Sequence, residues 1–294
     1  MTLTPPRGAC LDGPVPDGSA ESTFDKHQRA WQEYVETPWA RIRYAVVAEI
    51  LARHLAPLGD HLRVLDVGGG DGHDSLPLAR AGHHVTILDP SESMLAAARA
   101  SADAAGASRR VTTRSGSIDD LVDADAEWDV VLCHYVLRYR PVDADDLPTL
   151  AAALRPGGLL SVLDGNSPGT VLARAARQGP AAASAALAAT TVRTVTFDRD
   201  VRVVDASSVR ADLQAAGCEI LGEYGGRIVN DLILDEDAKD DPVFFEQLLR
   251  LELALCDREP FKRVGQFWQL VAERSAGTSH GFLMPPTACM PWEA

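Results

Sequence analysis

The stretch Val64-Leu65-Asp66-Val67-Gly68-Gly69-Gly70-Asp71-Gly72 carries the densest chemistry in the chain. An apolar run leads into a glycine-rich turn and then a helical pattern, an arrangement that lets a small cofactor touch main-chain amides. Glycines at 68, 70 and 72 give G-x-G-x-G. The dinucleotide fingerprint G-x-G-x-x-G requires glycine where His73 stands, which counts against a nicotinamide cofactor. The acid ahead of the glycines, Asp66, suits a ligand with a cationic ammonium group, whereas a pyrophosphate beside it would be repelled. Asp89 falls twenty-one residues after Gly68, at the end of the next apolar run. There a carboxylate can accept both hydroxyls of a ribose, although Asp89-Pro90-Ser91 also reads as a helix cap. Asp119, behind Ser117-Ile118, reads either as an acceptor for an adenine amino group or as a solvated acid within Asp119–Asp129.

Taken together, Asp66, the turn Gly68-Gly69-Gly70, Asp89, and Asp119 behind Ser117-Ile118 describe a pocket for an adenosine with a short, charged, non-phosphate tail, and S-adenosylmethionine fits it. Such a pocket needs a sheet to carry it. Apolar runs at Arg63–Val67, Val85–Leu88, Val111–Thr113, Asp129–Cys133 and Leu159–Leu163 predict buried parallel strands. Helical patterns at Ser75–Ala81, Ser93–Ala105 and Ala144–Leu154 alternate with them, and Pro156-Gly157-Gly158 turns the chain into the fifth strand. An Ala-rich helical insert near Thr170–Ala189 and a helix near Ser207–Ala216 follow. Strands around Ile220–Tyr224 and Phe267–Ala272 flank an acidic helix, Asp241–Cys256. The expected fold is therefore α/β and Rossmann-like: a seven-stranded, mostly parallel sheet with helices on both faces and an N-terminal helical lid.

The ends read differently. Residues 1–23, with four prolines and no periodicity, predict a mobile leader, and residues 276–294 a tail. Between them, 24–58 predicts N-terminal helices broken at Pro38, 63–165 the cofactor-binding core, and 166–275 an insert with the substrate-side part. Trp31, Tyr34 and Trp39 fall on the N-terminal helices, where they can pack on the sheet and also close over the pocket. No run is long and apolar enough for a membrane span, and the five scattered cysteines form neither a disulfide framework nor a zinc spacing, so the expected setting is cytoplasmic with reduced thiols and no metal.

The marks at Asp66–Gly72, Asp89, Ser117–Asp119 and Leu154-Arg155-Pro156-Gly157-Gly158 resemble those of the class I S-adenosylmethionine-dependent methyltransferases. Over roughly Phe24–Arg274 the chain resembles one branch of them more closely, the bacterial tRNA 5-carboxymethoxyuridine methyltransferase family. The pieces that carry this are Arg63–Gly72, Ala81-Gly82-His83, His134-Tyr135-Val136-Leu137, Asn166, Gly225-Gly226-Arg227 with Asp231, and Leu251–Pro260 with Gly265. The resemblance implies cofactor contacts at Arg43, Gly68, Gly69, Asp89, Ser117 and His134, with Arg43 clamping the methionine carboxylate. It departs in the leader, the acidic segment Asp235–Asp241, the C-terminal extension and the residues after His134.

On the substrate side, His134 closes the fourth strand and reads as a catalytic or ligand-binding group, or as a structural histidine. Tyr135 reads as a wall or packing residue, and Arg227 as a grip for an anionic substrate or a surface salt bridge. Cys133 lies in a buried run and does not read as a nucleophile. The favoured function is methyl transfer to an O-nucleophile, a carboxylate or hydroxyl, on a small polar metabolite. A net charge of −14 and a pI near 4.9 place tRNA second as a partner. The tRNA reading requires Arg138, Arg140, Arg174, Arg177, Arg193 and Arg227 to gather at the pocket mouth. A non-catalytic cofactor-binding or regulatory protein is the alternative of another class.

Overall fold

The computed structural model describes residues 35, 37–122, 127–194 and 199–275. The expectations for the leader, the tail, Trp31 and Tyr34 fall outside the described residues. The first helix, α1 (Pro38–Leu55), starts where Pro38 predicts: Thr37 is its N-cap, accepting from the Ala40 amide at 3.4 Å, and Pro38 fills the first position. Its apolar residues Ile42, Val46, Val47, Ile50 and Leu51 recur every three or four positions and are all buried.

Five strands follow in alternation with helices: β1 (Arg63–Val67), α2 (Leu76–Arg80), β2 (His84–Asp89), α3 (Glu92–Ala104), β3 (Val111–Ser115), β4 (Trp128–His134), α4 (Asp146–Ala153) and β5 (Leu154–Gly165). The next elements are α5 (Ser167–Gln178), α6 (Pro180–Ala188), β6 (Thr191–Thr194), β7 (Arg199–Arg202), α7 (Ala206–Ala215), β8 (Cys218–Gly226), α8 (Pro242–Leu255) and β9 (Phe267–Arg274). Seven strands form one sheet in the order β3-β2-β1-β4-β5-β9-β8. Pairs among β1 to β5 are parallel, and β9 pairs antiparallel with both β5 and β8. The expected mostly parallel sheet is therefore present.

Alternation along each strand sends side chains to two cores, one per face. Val64, Leu132, Leu163 and Val271 join α1 and Leu248 of α8 on one face, while Leu65, Val131, Val162 and Leu270 meet Leu150 of α4 and Leu213 of α7 on the other. Two local features differ from the sequence expectation. The Ala-rich insert divides at Gly179, whose φ of 86° ends α5 and admits α6. After it, β6 and β7 pair as a separate two-stranded sheet that no pattern announced. His83 is buried, with its Nδ1 accepting from the Leu62 amide at 3.2 Å.

Candidate active site

Strand order reverses between β1 and β4, and in an open parallel sheet the crevice at the carboxyl ends of two such strands is where ligands sit. Here that crevice receives the Gly68–Gly72 turn from β1 and His134 from β4. The sheet also brings Asp89 to the end of β2 and Ser117 just past β3.

The turn is shaped by close approach. A Cβ on Gly69 would lie 2.5 Å from the Asp66 carboxyl carbon and from its Oδ2, so the main chain wraps directly over the acid. Gly70 has φ +54°, a conformation that costs any branched side chain heavily. Burial pushes the Asp66 carboxyl up to about 7, reinforced by the charges of Asp74 and Asp89 and opposed by Ser75 and Arg43. Its Oδ2 is buried without a hydrogen-bond partner among the described residues. An orphaned buried acid under a half-buried glycine turn fits a cofactor that brings an ammonium group.

The structure ties both oxygens of Asp89 to main-chain amides. Its Oδ2 accepts from the Gly70 amide and its Oδ1 from the Ser91 amide, each at 2.9 Å, so it ties the glycine turn to the start of α3. The cap of α3 is Ser91, whose Oγ accepts from the Met94 amide. Each Asp89 oxygen keeps a second lone pair for a ribose hydroxyl. Burial raises its pKa, opposed by those two amides.

Beyond β3, Ser117 caps a short 3₁₀ turn, Ile118–Leu121, and Ile118 is buried. Asp119 is exposed, and both of its oxygens take bonds from Arg140, at 2.8 and 2.5 Å. It therefore stands at the rim rather than in the floor of the pocket.

Arg43 and His134 meet at a residue that no motif singled out. The Arg43 guanidinium grips both oxygens of Asp74, at 3.0 and 2.6 Å, and His134 Nδ1 bonds Asp74 Oδ2 at 2.9 Å. The other ring nitrogen of His134 bonds Ser161 Oγ at 2.9 Å, and Gln269 Nε2 donates to the same hydroxyl. Burial alone would raise the Asp74 pKa; Arg43 and His134 overcome it and hold the carboxylate well below its usual range. Both nitrogens of His134 are thus engaged inside the protein. The sequence did carry a signal for this network: Ser161 and Gln269 are polar residues inside apolar strand runs, and buried polar groups need partners.

Tyr135 follows His134 with φ +60°, an uncommon conformation for a bulky residue. Two guanidinium groups pack on its ring, Arg43 at 5.2 Å and Arg138 at 4.4 Å from the ring centre. It forms one wall of a cavity of about 360 Å³ that also takes in Arg138, Arg174, Arg193, Arg202 and Arg227. Four of the six arginines named from the sequence therefore share one cavity. Arg140 instead binds Asp119 and Asp146, and Arg177 binds Glu236.

Arg138 is held by the buried Asp164, and Arg227 by Asp231 at 2.9 and 2.5 Å. Arg227 has φ +55°, and the turn behind it is pinned by Glu252 of α8, whose carboxylate accepts from the amides of Ile228, Val229 and Asn230 at 2.7–2.8 Å. Trp39 lies half-buried on α1. Glu252, Asp164 and Arg202 escaped sequence reasoning, because charged residues on helices, strand ends and hairpins look like solvated ones until the topology folds them inward.

A seven-stranded sheet of this order, with an acid-led glycine turn at the switch point and an acid ending β2, defines a class I methyltransferase. Residues 64–158 match the methyltransferase domain family. The chain is 30% identical over 240 residues to tRNA 5-carboxymethoxyuridine methyltransferase of Escherichia coli (strain K12), spanning 81% of this chain and 90% of that protein. It is 32% identical over 158 residues to a ubiquinone biosynthesis O-methyltransferase of Methylobacterium sp. (strain 4-46), spanning 50% of this chain and 63% of that one. The crystal structure of magnesium protoporphyrin IX methyltransferase from Synechocystis PCC 6803 with bound S-adenosylhomocysteine shares the fold, with a TM-score of 0.56 at 19% identity over 87% of this chain and 96% of that one. The chain belongs to the tRNA 5-carboxymethoxyuridine methyltransferase family of S-adenosylmethionine-dependent methyltransferases. It is an enzyme that uses S-adenosylmethionine. No helix among the described residues is long and apolar enough to cross a membrane.

Proposed function

We propose that the enzyme transfers a methyl group to a carboxylate oxygen of an anionic acceptor held in the arginine-lined cavity beside the glycine turn. When bound, the cofactor supplies a methyl group on a sulfonium centre. The observation that carries the reading is the pairing of an arginine-rich cavity with a histidine whose two nitrogens are already engaged. A carboxylate is ionised at pH 7 and needs no base, so the protein's task is to hold it in line. Guanidinium groups suit that task, because their planar fork matches a carboxylate.

In this reading the amides of Gly68–Gly70 and the carboxylates of Asp66 and Asp89 hold the cofactor, with Ser117 and Ile118 along its base and Asp119 at the rim. Arg43 reaches the methionine carboxylate while Asp74 fixes its direction, and Tyr135, Trp39 and Arg227 border the acceptor. The acidic charge of the chain favours a small metabolite as acceptor. A second reading, the carboxymethoxy group of a tRNA wobble uridine, is supported by the name of the Escherichia coli relative and by Arg138, Arg174, Arg193 and Arg227 lining one cavity.

The test is transfer of labelled methyl from S-adenosylmethionine to a panel of carboxylic acids and to bulk tRNA. A product that loses its label in mild base is a methyl ester. Label that survives base, as an ether or amine would, overturns the carboxylate reading.

A further inference from the structure

A chain of polar side chains crosses the core beneath α1, and its two ends have fixed polarity. His134, Ser161 and Gln269 each stand two residues from an apolar one, Leu132, Leu163 and Val271, that packs with α1. Strand alternation therefore sends all three to the face that α1 covers. Ser161 is 1% exposed and Gln269 0%, a depth at which polar atoms need partners. Gln269 Nε2 donates to Ser161 Oγ, Ser161 Oγ meets His134 Nε2, and His134 Nδ1 meets Asp74 Oδ2, each at 2.9 Å. Arg43 of α1 closes the chain by donating to both Asp74 oxygens.

The ends dictate the protons in the middle. An amide N–H can only donate. Burial would protonate Asp74, but Arg43 and His134 hold it well below the usual carboxylate range, so it can only accept. Nδ1 of His134 must then carry a hydrogen toward Asp74. Ser161 Oγ already accepts from Gln269, and its own hydroxyl hydrogen finds one acceptor among the described residues, His134 Nε2. Nε2 is therefore bare, and the ring is neutral. Gln269 decides this from β9. With its amide turned over, Oε1 would accept the Ser161 hydroxyl, Ser161 could take a hydrogen from Nε2, and the ring would become a cation. That arrangement strands two N–H donors, whereas the observed one strands only the Gln269 Oε1.

We propose that Ser161 and Gln269 are positioning residues for the cofactor: they hold His134 as the neutral Nδ1–H tautomer, which fixes Asp74 and, through it, the Arg43 guanidinium. Neither residue lines the acceptor cavity. The tautomer stands on the hydrogen bonds alone. Its effect on cofactor affinity rests on the reading of Arg43 as the group that reaches the methionine carboxylate.

The experiment is isotope-resolved NMR of the histidine ring nitrogens in the full chain near neutral pH, with His134→Gln assigning the signal. Calorimetric titration with S-adenosylhomocysteine runs beside it. The parent ring carries a hydrogen on Nδ1 and none on Nε2. Gln269→Glu puts an acceptor at the donor end of the chain, so both ring nitrogens become protonated. Ser161→Ala cuts the chain, and S-adenosylhomocysteine affinity falls about fivefold, the scale of one buried hydrogen bond. A purely structural role would lower melting temperatures and leave both the ring state and the affinity unchanged. A parent ring protonated on Nε2, alone or with Nδ1, overturns the proposal, and so does a Gln269→Glu ring identical to the parent's. If Ser161→Ala keeps the parent affinity, Arg43→Gln separates the two claims. Weakened binding in Arg43→Gln then overturns the relay from Ser161. Parent-like binding in Arg43→Gln instead overturns the reading of Arg43 as the carboxylate clamp and leaves the tautomer standing.

Discussion

Residues 63–165 and 166–275 each contribute one side of the cleft, and they do so with different materials. The first side presents main-chain amides of a glycine turn, the buried carboxylates Asp66 and Asp89, and the half-buried Asp74. The second presents guanidinium groups on one helix, a hairpin and a strained turn. Amides and acids at strand ends are placed by the sheet itself, through the register of its strands. Long side chains on inserted elements are placed by neighbours: Arg227 by Asp231 and the turn that Glu252 holds, Arg202 by two carbonyls. Cofactor binding should therefore break sharply under single substitutions, and acceptor binding by degrees.

Gly70→Val gives the largest expected effect. A β-branched residue at φ +54° is strained and pushes into the Met94 methyl at 3.0 Å, so S-adenosylmethionine affinity should fall by about 2–3 kcal/mol or more. Calorimetric titration checks it, and an affinity within threefold of the parent, about 0.7 kcal/mol, would mean the turn does not touch the ligand. Asp89→Ala comes next. It removes a charged acceptor from the ribose and orphans the Gly70 and Ser91 amides, and about 1.5–3 kcal/mol of cofactor affinity should go with it.

The pH dependence of Asp66 sharpens the same side. With a folded pKa of about 7 against a model-peptide value near 3.8, the ligand-free protein holds a proton there that the unfolded chain releases above pH 4. The stability this group contributes is present below pH 4 and is lost as pH rises to about 7, where the curve levels. Asp66→Asn should flatten that slope in thermal melts taken from pH 4 to 8. Binding of a cationic cofactor should favour the ionised acid, so affinity should rise from pH 6 to 8 in the parent and stay level in Asp66→Asn. A parent affinity that falls over that range contradicts an acid facing an ammonium group.

His134 tests where one side ends and the other begins. If it only bridges Asp74 and Ser161, His134→Gln should lower stability by about 1–3 kcal/mol, the cost of disturbing a buried polar group, and slow turnover of a carboxylate acceptor by less than tenfold. A general base would cost roughly 100- to 10,000-fold. Kinetics and denaturant titration on one preparation separate the two.

The uneven legibility of the sequence follows from the same contrast. Asp66, the glycines and Asp89 could be placed because strand, turn and helix signals are local and the spacing from Gly68 to Asp89 spans one β-α-β unit. Helix α1 was readable from Thr37-Pro38 and its apolar period. Asp74 was not, since its partners Arg43 and His134 are 31 and 60 residues away. The hairpin β6–β7 left no trace because Thr191–Thr194 and Arg199–Arg202 alternate weakly and carry charge. Arg202 looked like a surface residue until β7 brought it beside the loop after β4.

Asp119 sits at the boundary, and the smallest effect is expected there. Its exposed carboxylate is held by Arg140, which keeps a second partner in Asp146. Asp119→Ala therefore leaves Arg140 anchored and the Ser117 turn capped through Asp120. Cofactor affinity should change by less than about threefold, as for an exposed pair in water. Titration with S-adenosylmethionine and with an analogue lacking the adenine amino group decides between rim and base contact. A tenfold loss in Asp119→Ala that is absent with the analogue would mean that Asp119 leaves Arg140 to bond adenine when the cofactor binds, and would move it from the rim into the pocket.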